Sequence, residues 1–257
     1  MLLVDAHCHL ESDELRGQLD ALLADARAAG VVRLVTAAVS PEQWPVPASI
    51  AGAHPEVAYA LGIHPWFATP AHVDEMEALL DAARPGAAAI GEIGLDKKID
   101  TPGMDVQRRV FEAQLNVAAE AELPVVIHCR GAFNELIECF KRVGAPPRGG
   151  IVHAFSGSVE VAEACLGYGL DFSMGGALSY RNSKKRARVL KRIYPDHLLL
   201  ETDSPDMPPV QVNHKPNVPA NIRFNLRGAA ETLGLEAEAI AEQTARNAAR
   251  VFALDLE

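Results

Sequence analysis

Short runs of apolar and β-branched residues recur along the chain, and longer segments whose apolar positions have helical spacing lie between them. Eight of these runs have the length and composition of buried strands. They are Leu2–Ala6, Val31–Val39, Val57–Gly62, Ala87–Ile93, Pro124–Cys129, Gly150–Ala154, Leu170–Met174 and His197–Glu201. Strands that alternate with helices predict parallel βαβ units, and eight such units make a (β/α)8 TIM barrel. We therefore predict an α/β fold with one barrel domain over residues 1–257.

The helical patterns between these strands support the same interpretation. They are Asp13–Ala29, Val73–Ala83, Met104–Ala121, Ala132–Val143 and Asn182–Tyr194, with two further helices between Ala220 and Leu254 that separate near Gly234. The proline-rich segment Ser204–Pro219, which contains Asn213 and His214, predicts an irregular loop after the last strand. An open, doubly wound sheet is the alternative. It usually has a glycine-rich turn after its first strand, where this chain has His-Cys-His.

Residues with metal-ligand chemistry stand at the ends of five of the predicted strands. The first strand ends in His7-Cys8-His9. Because side chains alternate along a strand, His7 and His9 point to the same side, about 7 Å apart, and Cys8 points away from them. Two imidazoles in that arrangement can bind one ion. The other four strands supply Glu92, His128, His153 and Asp203.

These six residues are expected to converge, because the carboxyl ends of all strands in a barrel face one mouth. Any single histidine among them could be a hydrogen-bonded core residue. Six such residues, all at strand ends, favour a metal site instead. Four imidazoles and two carboxylates exceed the ligand set of one tetrahedral zinc ion. We therefore predict two divalent ions that share Glu92 as a bridging ligand.

The net charge of the chain limits how it could bind a nucleic acid. Lys and Arg number 24, Asp and Glu number 34, and the net charge is −10, which argues against binding polyanions through a uniformly basic surface. A local basic stretch, Arg181–Arg192, follows the seventh predicted strand. Its first residues are expected at the barrel mouth, where they could contact a nucleic-acid backbone. A solvated helix face is the alternative interpretation of this stretch.

The cysteines and the first residues of the chain bear on the compartment. The four cysteines form no CxxC pair, which argues against a zinc finger or a thioredoxin motif, and we expect free thiols. The first residues, MLLVDAHCHL, lack the basic region of a signal peptide. No apolar run approaches the ~20 residues of a membrane span. We expect a cytoplasmic protein without membrane contact, and a monomer because no coiled-coil pattern is present.

At its strand-end residues the chain resembles the TatD family of metal-dependent hydrolases, one of the amidohydrolase-like barrels. The resemblance runs through the segments VDAHCHL, GIHP, IGEIGLD, LPVVIHCR, IVHAFSG, LLLETDSP and TARNAARVF. It implies magnesium- or manganese-dependent deoxyribonuclease activity, typically 3′ to 5′ on single strands; Zn²⁺ is a further candidate metal. The ligands that the family implies are His7, His9, Glu92 and Asp203 for one ion, and Glu92, His128 and His153 for the other. The resemblance implies that His64 of GIHP lies beside the substrate or next to the metal ligands.

The predicted mechanism is two-metal activation of water on a phosphodiester. Asp203 would ligate a metal and accept the proton of the attacking water, and Glu92 would bridge the ions. Either His64 or His128 would orient or protonate the leaving oxygen.

Basic and aromatic residues just past the predicted strands are candidates for contacts with DNA. Arg130, Arg181 and Lys184 could contact phosphates, and Trp66 and Tyr180 could stack on bases. Together with Lys97 and Lys98, these cations predict a positive mouth on an acidic body. The chain departs from the family pattern where Glu11 replaces an aspartate, and where Lys97 and Lys98 replace an aromatic residue. These departures concern the substrate and not the metal ligands.

Two other functions compete with a nuclease. The same scaffold could hydrolyse a different ester or an amide, such as an aminoacyl ester on RNA, because similar metal pairs serve several chemistries. A non-catalytic protein with a structural metal is the third possibility. Six ligands around an open mouth argue against it, because structural sites are usually closed shells of four ligands.

Overall fold

The computed structural model describes residues 1–181, 183–212 and 216–256. Its strands are β1 (Leu3–Cys8), β2 (Val31–Ala37), β3 (Val57–Leu61), β4 (Ala89–Asp96), β5 (Val125–Arg130), β6 (Gly150–Val152), β7 (Leu170–Met174) and β8 (Leu198–Leu200). Neighbours in the sequence are neighbours in one sheet, and every adjacent pair from β1 to β8 is parallel. The predicted (β/α)8 architecture is confirmed.

The helices lie between the strands and after the last one. They are α1 (Asp13–Arg16), α2 (Leu19–Ala28), α3 (Pro45–Ala53), α4 (Met76–Ala83), α5 (Met104–Glu120), α6 (Phe133–Val143), α7 (Val159–Leu166), α8 (Lys184–Ile193), α9 (Ile222–Leu233) and α10 (Ala237–Phe252). In the part of the chain that the structure describes, none of the helices has the length and apolar composition to cross a bilayer.

Most predicted helices are confirmed, with three local differences. The first helix is broken into α1 and α2 at Gly17, and the start of the predicted helix at Val73 is a 3-10 turn, Pro70–Glu75. The helix predicted from Asn182 begins at Lys184 after the N-cap Ser183, whose hydroxyl accepts the backbone N–H of Arg186. Asn182, Asn213 and His214 lie outside the described residues.

The barrel is closed between β8 and β1 by a buried aspartate together with backbone bonds. Asp5 accepts the N–H of Thr202 at 2.8 Å and the hydroxyl of Thr202 at 2.6 Å. Further along, Asp203 N–H donates to the carbonyl of His7, and His9 N–H donates to the carbonyl of Ser204. Burial raises the pKa of Asp5 to about 7. These contacts set the segments that carry His7, His9 and Asp203 side by side.

The opposite end of the barrel is apolar and is covered by the last helix. Ala245, Ala248 and Phe252 of α10 are buried in one cluster with Val4 of β1 and Val126 of β5. Residues at or just before the starts of β2, β3 and β4 pack against the same cluster. The residues with metal-ligand chemistry at the strand ends lie at the other, carboxyl-terminal end, where barrel active sites are built.

Two glycines on β4 allow β5 to approach the strand that carries Glu92. A Cβ at Gly91 would lie 2.5 Å from the Cβ of Val126. A Cβ at Gly94, whose φ is +147°, would lie 1.9 Å from the carbonyl oxygen of His128. Only glycine fits a positive φ with backbone this close. The glycine-flanked IGEIGLD segment therefore sets the spacing between Glu92 and His128.

We predict that Gly94→Ala lowers the free energy of unfolding by about 2–5 kcal/mol, because it adds a steric clash to an unfavourable φ. Urea unfolding followed by circular dichroism measures this value. Gly17→Ala is the matched control, because Gly17 has a φ of −68° and open space around it. It should change stability by no more than about 1 kcal/mol. Equal stability of the two variants would contradict the close-approach argument.

Candidate metal centre

The structure brings together all six residues that the strand-end pattern singled out. They are His7 in β1, His9 just after it, Glu92 in β4, His128 in β5, His153 directly after β6, and Asp203 after β8. We call these six residues the candidate centre. All six are buried or nearly buried at the carboxyl-terminal end of the barrel.

The carboxylate of Glu92 lies at the middle of the candidate centre and separates two groups of imidazoles. Its Oε2 lies 3.4 Å from Nε2 of His7 and 3.4 Å from Nε2 of His9. Its Oε1 lies 2.7 Å from Nε2 of His153 and 3.1 Å from Nδ1 of His128. One oxygen therefore faces each group, as expected of a carboxylate that bridges two ions.

Asp203 completes the group around Oε2. Its Oδ1 lies 3.5 Å from Nε2 of His7 and 3.6 Å from Nε2 of His9. The backbone of Asp203 has a φ of +56°, in the left-handed region that aspartate tolerates better than most residues. This turn directly after β8 places the carboxylate next to the end of β1.

His153 is within reach of both groups. Its Nε2 contacts Glu92 Oε1, and its ligand atom also lies within 4.8 Å of those of His7 and Asp203. The family resemblance assigns His153 to the ion held by Glu92 and His128. The geometry allows that assignment and also allows a set formed by His7, His153 and Asp203.

Buried nitrogens without hydrogen bonds indicate that the centre fits a cation. Both ring nitrogens of His7 and Nδ1 of His153 are buried and have no hydrogen-bond partner among the described residues. Unpaired buried polar atoms are costly and uncommon. A divalent ion would satisfy such lone pairs, and imidazole with carboxylate is a donor set that suits Zn²⁺ and other transition ions.

Hydrogen bonds at the far side of two rings leave the near nitrogens free to bind metal. His9 Nδ1 lies 2.8 Å from the carbonyl of Ala37, so it carries a proton and donates it there. His128 Nε2 lies 3.2 Å from Oδ2 of Asp96. Because an ionised carboxylate only accepts hydrogen bonds, this nitrogen carries the proton and donates it. The nitrogens that face Glu92 therefore present lone pairs once they lose any second proton.

His64 is arranged differently from the imidazoles of the candidate centre. Its Nδ1 accepts the backbone N–H of Trp66 at 3.2 Å, so the proton of the neutral ring resides on Nε2. That Nε2 lies 3.3 Å from Oε1 of Glu92. Burial lowers the pKa of His64, which favours the neutral form. Although His64 is within ligand distance of Glu92 and His128, its hydrogen bonds suit a donor better than a ligand.

The pKa values of the metal-free centre follow from its carboxylates. Burial alone would lower the pKa of His7, but the carboxylates of Asp203 and Glu92 raise it to about 10. Burial likewise opposes charge on His128, and Asp96 and Glu92 raise its pKa to about 9. Glu92 shows the reverse effect, since the imidazoles around it hold its pKa well below the usual range despite burial. The ion-free centre therefore holds extra protons between its carboxylates and imidazoles.

Asp96, the last residue of IGEIGLD, is a functional residue that the sequence pattern did not single out. Its fully buried carboxylate accepts hydrogen bonds from the Trp66 indole N–H at 2.7 Å and from Arg130 Nε at 3.0 Å. It also accepts the backbone N–H of Lys98 at 2.8 Å, besides facing His128. Although burial opposes ionisation, these donors hold its pKa below the ordinary value. The sequence signal that could have identified Asp96 is its position as a charged residue at the end of the apolar strand β4.

Two further buried carboxylates support the imidazoles. Glu11 lies 3.1 Å from Nδ1 of His9 and accepts the hydroxyl of Thr36 at 2.6 Å. Glu11, which stands where the family usually has an aspartate, is therefore buried beside His9. Glu201 lies 3.9 Å from Nδ1 of His153 and accepts the N–H of Ala154. Burial raises the pKa of Glu201 to about 8.

The residues predicted to contact substrate fall into two places. Trp66 and Arg130 border the candidate centre through Asp96. Tyr180, Arg181 and Lys184 instead line a cavity of about 300 Å³ beside α8 and α9. Arg181 is 81% exposed there, and its guanidinium lies 3.4 Å from the carboxylate of Glu231 on the same cavity wall.

Comparison with known proteins identifies relatives along almost the whole chain. A family model described as TatD related DNase matches residues 4–253. A Bacillus subtilis protein named "Uncharacterized metal-dependent hydrolase YabD" is 32% identical over 99% of this chain and 100% of its own length. The "3'-5' ssDNA/RNA exonuclease TatD" of Erwinia tasmaniensis is 31% identical over 97% of this chain and 99% of its own.

A solved structure has the same fold over the same span. The crystal structure of the TatD homologue YjjV from Escherichia coli superposes with a TM-score of 0.91 at 30% identity, and it covers 98% of both chains. Both the fold and the family that the sequence motifs indicated are therefore confirmed.

We predict that divalent metal binding to the ion-free protein releases up to about three protons, because His7, His9 and His128 all have raised pKa values and must lose a proton to ligate. Apparent affinity should therefore rise with pH up to about pH 10, where His7 loses its extra proton. Calorimetric titration with Mn²⁺ in two buffers of different ionisation enthalpy measures the release. The same binding enthalpy in both buffers would contradict this proton inventory.

Asp96→Asn should weaken metal binding about 10–100-fold, because the residue that orients His128 loses its charge. Competition with a chromogenic chelator measures the affinity. Asp105→Asn is the control, because the side chain of Asp105 is 90% exposed on α5. An Asp96 variant that binds metal as tightly as this control would show that His128 needs no such partner.

Proposed function

Because the chain belongs to the TatD family of metal-dependent hydrolases, we propose that it is a deoxyribonuclease that removes nucleotides from the 3′ end of single-stranded DNA. The name of the Erwinia tasmaniensis relative gives 3′ to 5′ polarity and single-stranded DNA or RNA as substrate for that protein. The observation on which the proposal rests is the Glu92 carboxylate, whose two oxygens face separate groups of imidazoles. That division favours two divalent ions, with Mg²⁺ or Mn²⁺ as the candidates.

Two divalent ions in such a site would stabilise charge on the attacking and leaving oxygens of a phosphodiester and lower the pKa of water. Glu92, His7, His9, His128, His153 and Asp203 would hold them. The chain's own part in the reaction is then to position the phosphodiester, to accept a proton from the attacking water and to hydrogen-bond the leaving oxygen.

Asp203 is the proposed proton acceptor. Its carboxylate is 13% exposed, whereas that of Glu92 is only 4% exposed, so Asp203 is the more open of the two to water. Neighbouring imidazoles hold the pKa of Asp203 below its ordinary value although burial opposes this, so the carboxylate is ionised and can accept. A proton taken up from the attacking water would reside on an oxygen of this carboxylate.

His64 is the proposed donor toward the leaving oxygen. The sequence left His64 and His128 as alternatives, and their hydrogen bonds support His64. Its Nδ1 is occupied by the N–H of Trp66, which leaves a proton on Nε2 beside Glu92. The Nε2 proton of His128 is instead directed at Asp96. His64 can therefore turn this proton from Glu92 to an oxygen of the substrate while its Nδ1 keeps the bond from Trp66.

Charge around the centre supports an anionic substrate. Arg130 is 49% exposed and lies beside the buried Asp96. Lys97 points toward Glu135 at 2.7 Å and so contributes less free positive charge than its sequence position suggests. Arg181 and Lys184 lie apart from these cations, in the cavity beside α8, where Arg181 faces Glu231. An acidic body with local cations is suited to gripping a strand end and less so to coating a duplex.

The expected activity is stepwise shortening of a 5′-labelled single-stranded DNA in the presence of Mg²⁺ or Mn²⁺, and none in EDTA. Asp203→Asn should lower kcat about 10²–10⁴-fold, because a proton acceptor is lost. Asp81→Asn, on an exposed part of α4, is the control and should match the wild type.

Absence of metal-dependent shortening by the wild-type protein would overturn the nuclease proposal. Metal-dependent turnover of an aminoacyl ester or an amide in the same preparation would then support the alternative hydrolase.

A further inference from the structure

Trp66 is a large aromatic side chain that is 48% exposed although its polar atom is tied to the interior. It follows β3 in the GIHP-Trp segment, at the mouth of the barrel. Its indole N–H donates to the buried carboxylate of Asp96 at 2.7 Å. An exposed indole normally has several rotamers, so this bond to a fixed acceptor restricts the ring to one orientation.

The ring lies directly beside the candidate centre. Its centroid is 5.1 Å from that of His64 and 6.5 Å from that of His128. Both interplanar angles are steep, at 84° and 72°. Neither imidazole is stacked parallel on the indole, and about half of the indole side chain stays exposed.

A cation accompanies this aromatic surface. The Arg130 guanidinium carbon lies 5.7 Å from the Trp66 ring centroid, and its Nε donates to the same Asp96 carboxylate. About half of the arginine side chain stays exposed. One buried carboxylate thus positions both an aromatic plane and a group that prefers phosphate.

We propose that Trp66 is the stacking platform for the base of the 3′-terminal nucleotide, with Arg130 contacting a neighbouring phosphate. This inference rests on the proposed nuclease function. The phosphodiester to be cleaved must lie at the candidate centre, so the base of the nucleotide to be released lies next to the centre. Trp66 borders the centre there, with its ring centroid 5.1 Å from that of His64. Stacking reads every base through its π-face, so the platform favours a base over no base without selecting a sequence.

The kinetic test compares two single-stranded DNA substrates that differ only in their last residue. One ends in an ordinary nucleotide, and the other ends in an abasic deoxyribose of the same backbone. The wild type should prefer the ordinary end by about 5- to 150-fold in kcat/KM, the range that aromatic stacking supplies. Trp66→Ala should reduce this preference to near one, while Trp66→Phe, which keeps a ring but loses the bond to Asp96, should retain an intermediate preference.

The ratio between the two substrates separates stacking from indirect damage. Loss of the bond to Asp96 could disturb His128 and slow both substrates equally, which would leave the ratio unchanged. Phe67→Ala is the matched control, because Phe67 is 47% exposed one residue further along and makes no such bond. It should keep the wild-type preference. An unchanged ratio in Trp66→Ala, or an equal loss in Phe67→Ala, would overturn the assignment.

A binding test needs no turnover. Trp44, the other tryptophan, is buried and donates to the carbonyl of Gly62, so ligand-dependent quenching of indole fluorescence reports Trp66. In EDTA, the oligonucleotide with a terminal base should quench this fluorescence in the wild type and not in Trp66→Phe. The abasic oligonucleotide should quench less.

The two proposals can fail separately. Quenching by the oligonucleotide without hydrolysis in Mg²⁺ or Mn²⁺ would support the platform and count against the nuclease. Hydrolysis without a base preference and without quenching would support the nuclease and overturn the platform.

Discussion

The architecture of this barrel depends on one buried carboxylate, that of Glu92, and on how its charge is compensated. An ionised carboxylate at this depth is costly unless it is paired. Five imidazoles converge on or near it, from β1, β5 and the segments after β1, β3 and β6. In the absence of a cation, neighbouring carboxylates raise the pKa values of His7 and His128, so these two rings hold extra protons, whereas burial lowers the pKa values of His64 and His153. Bound metal and bound protons are thus alternative solutions to the same charge problem.

The barrel supplies this arrangement by dividing its two ends. The apolar end is closed by α10 packed on the strand starts, and the other end gathers residues that no hydrophobic core would accept. The contacts that close the barrel between β8 and β1 also position the candidate centre, because the Asp5–Thr202 bonds fix the segment that carries Asp203. Close approach of β4 and β5 at Gly94 has the same double role for Glu92 and His128. Stability and chemistry therefore share the same backbone contacts.

Much of the fold and of the candidate centre could be predicted from the sequence, because both follow rules local to a strand. Apolar runs give the strands, and alternation places His7 and His9 on one side of β1. The helices α3 and α7 were not named in advance; α3 begins at Pro45 and has apolar residues on most of its turns, so helical periodicity is weak there. The helical structure of such a segment cannot be predicted from its periodicity, because it depends on packing against the rest of the barrel.

The residues behind the ligands could not be predicted in the same way. Asp96, Glu11 and Glu201 act through partners on other strands or loops, such as Trp66 at a separation of 30 residues and Ala154 at 47. No periodicity in the chain encodes those pairings, which exist only once the barrel closes. Glu11 lies only two residues from His9 in the chain, but its hydroxyl partner Thr36 is 25 residues away, on β2.

Asp96 also links the two halves of the proposed chemistry. The same carboxylate accepts hydrogen bonds from His128 in the candidate centre and from Trp66 and Arg130 at the mouth of the barrel. Because its two oxygens are shared among these donors, its orientation cannot change for one without changing for the others. The position of an imidazole at the centre and the plane of the aromatic platform are thus set together. A substrate held on that platform is held in register with the centre by one rigid group and not by independent loops.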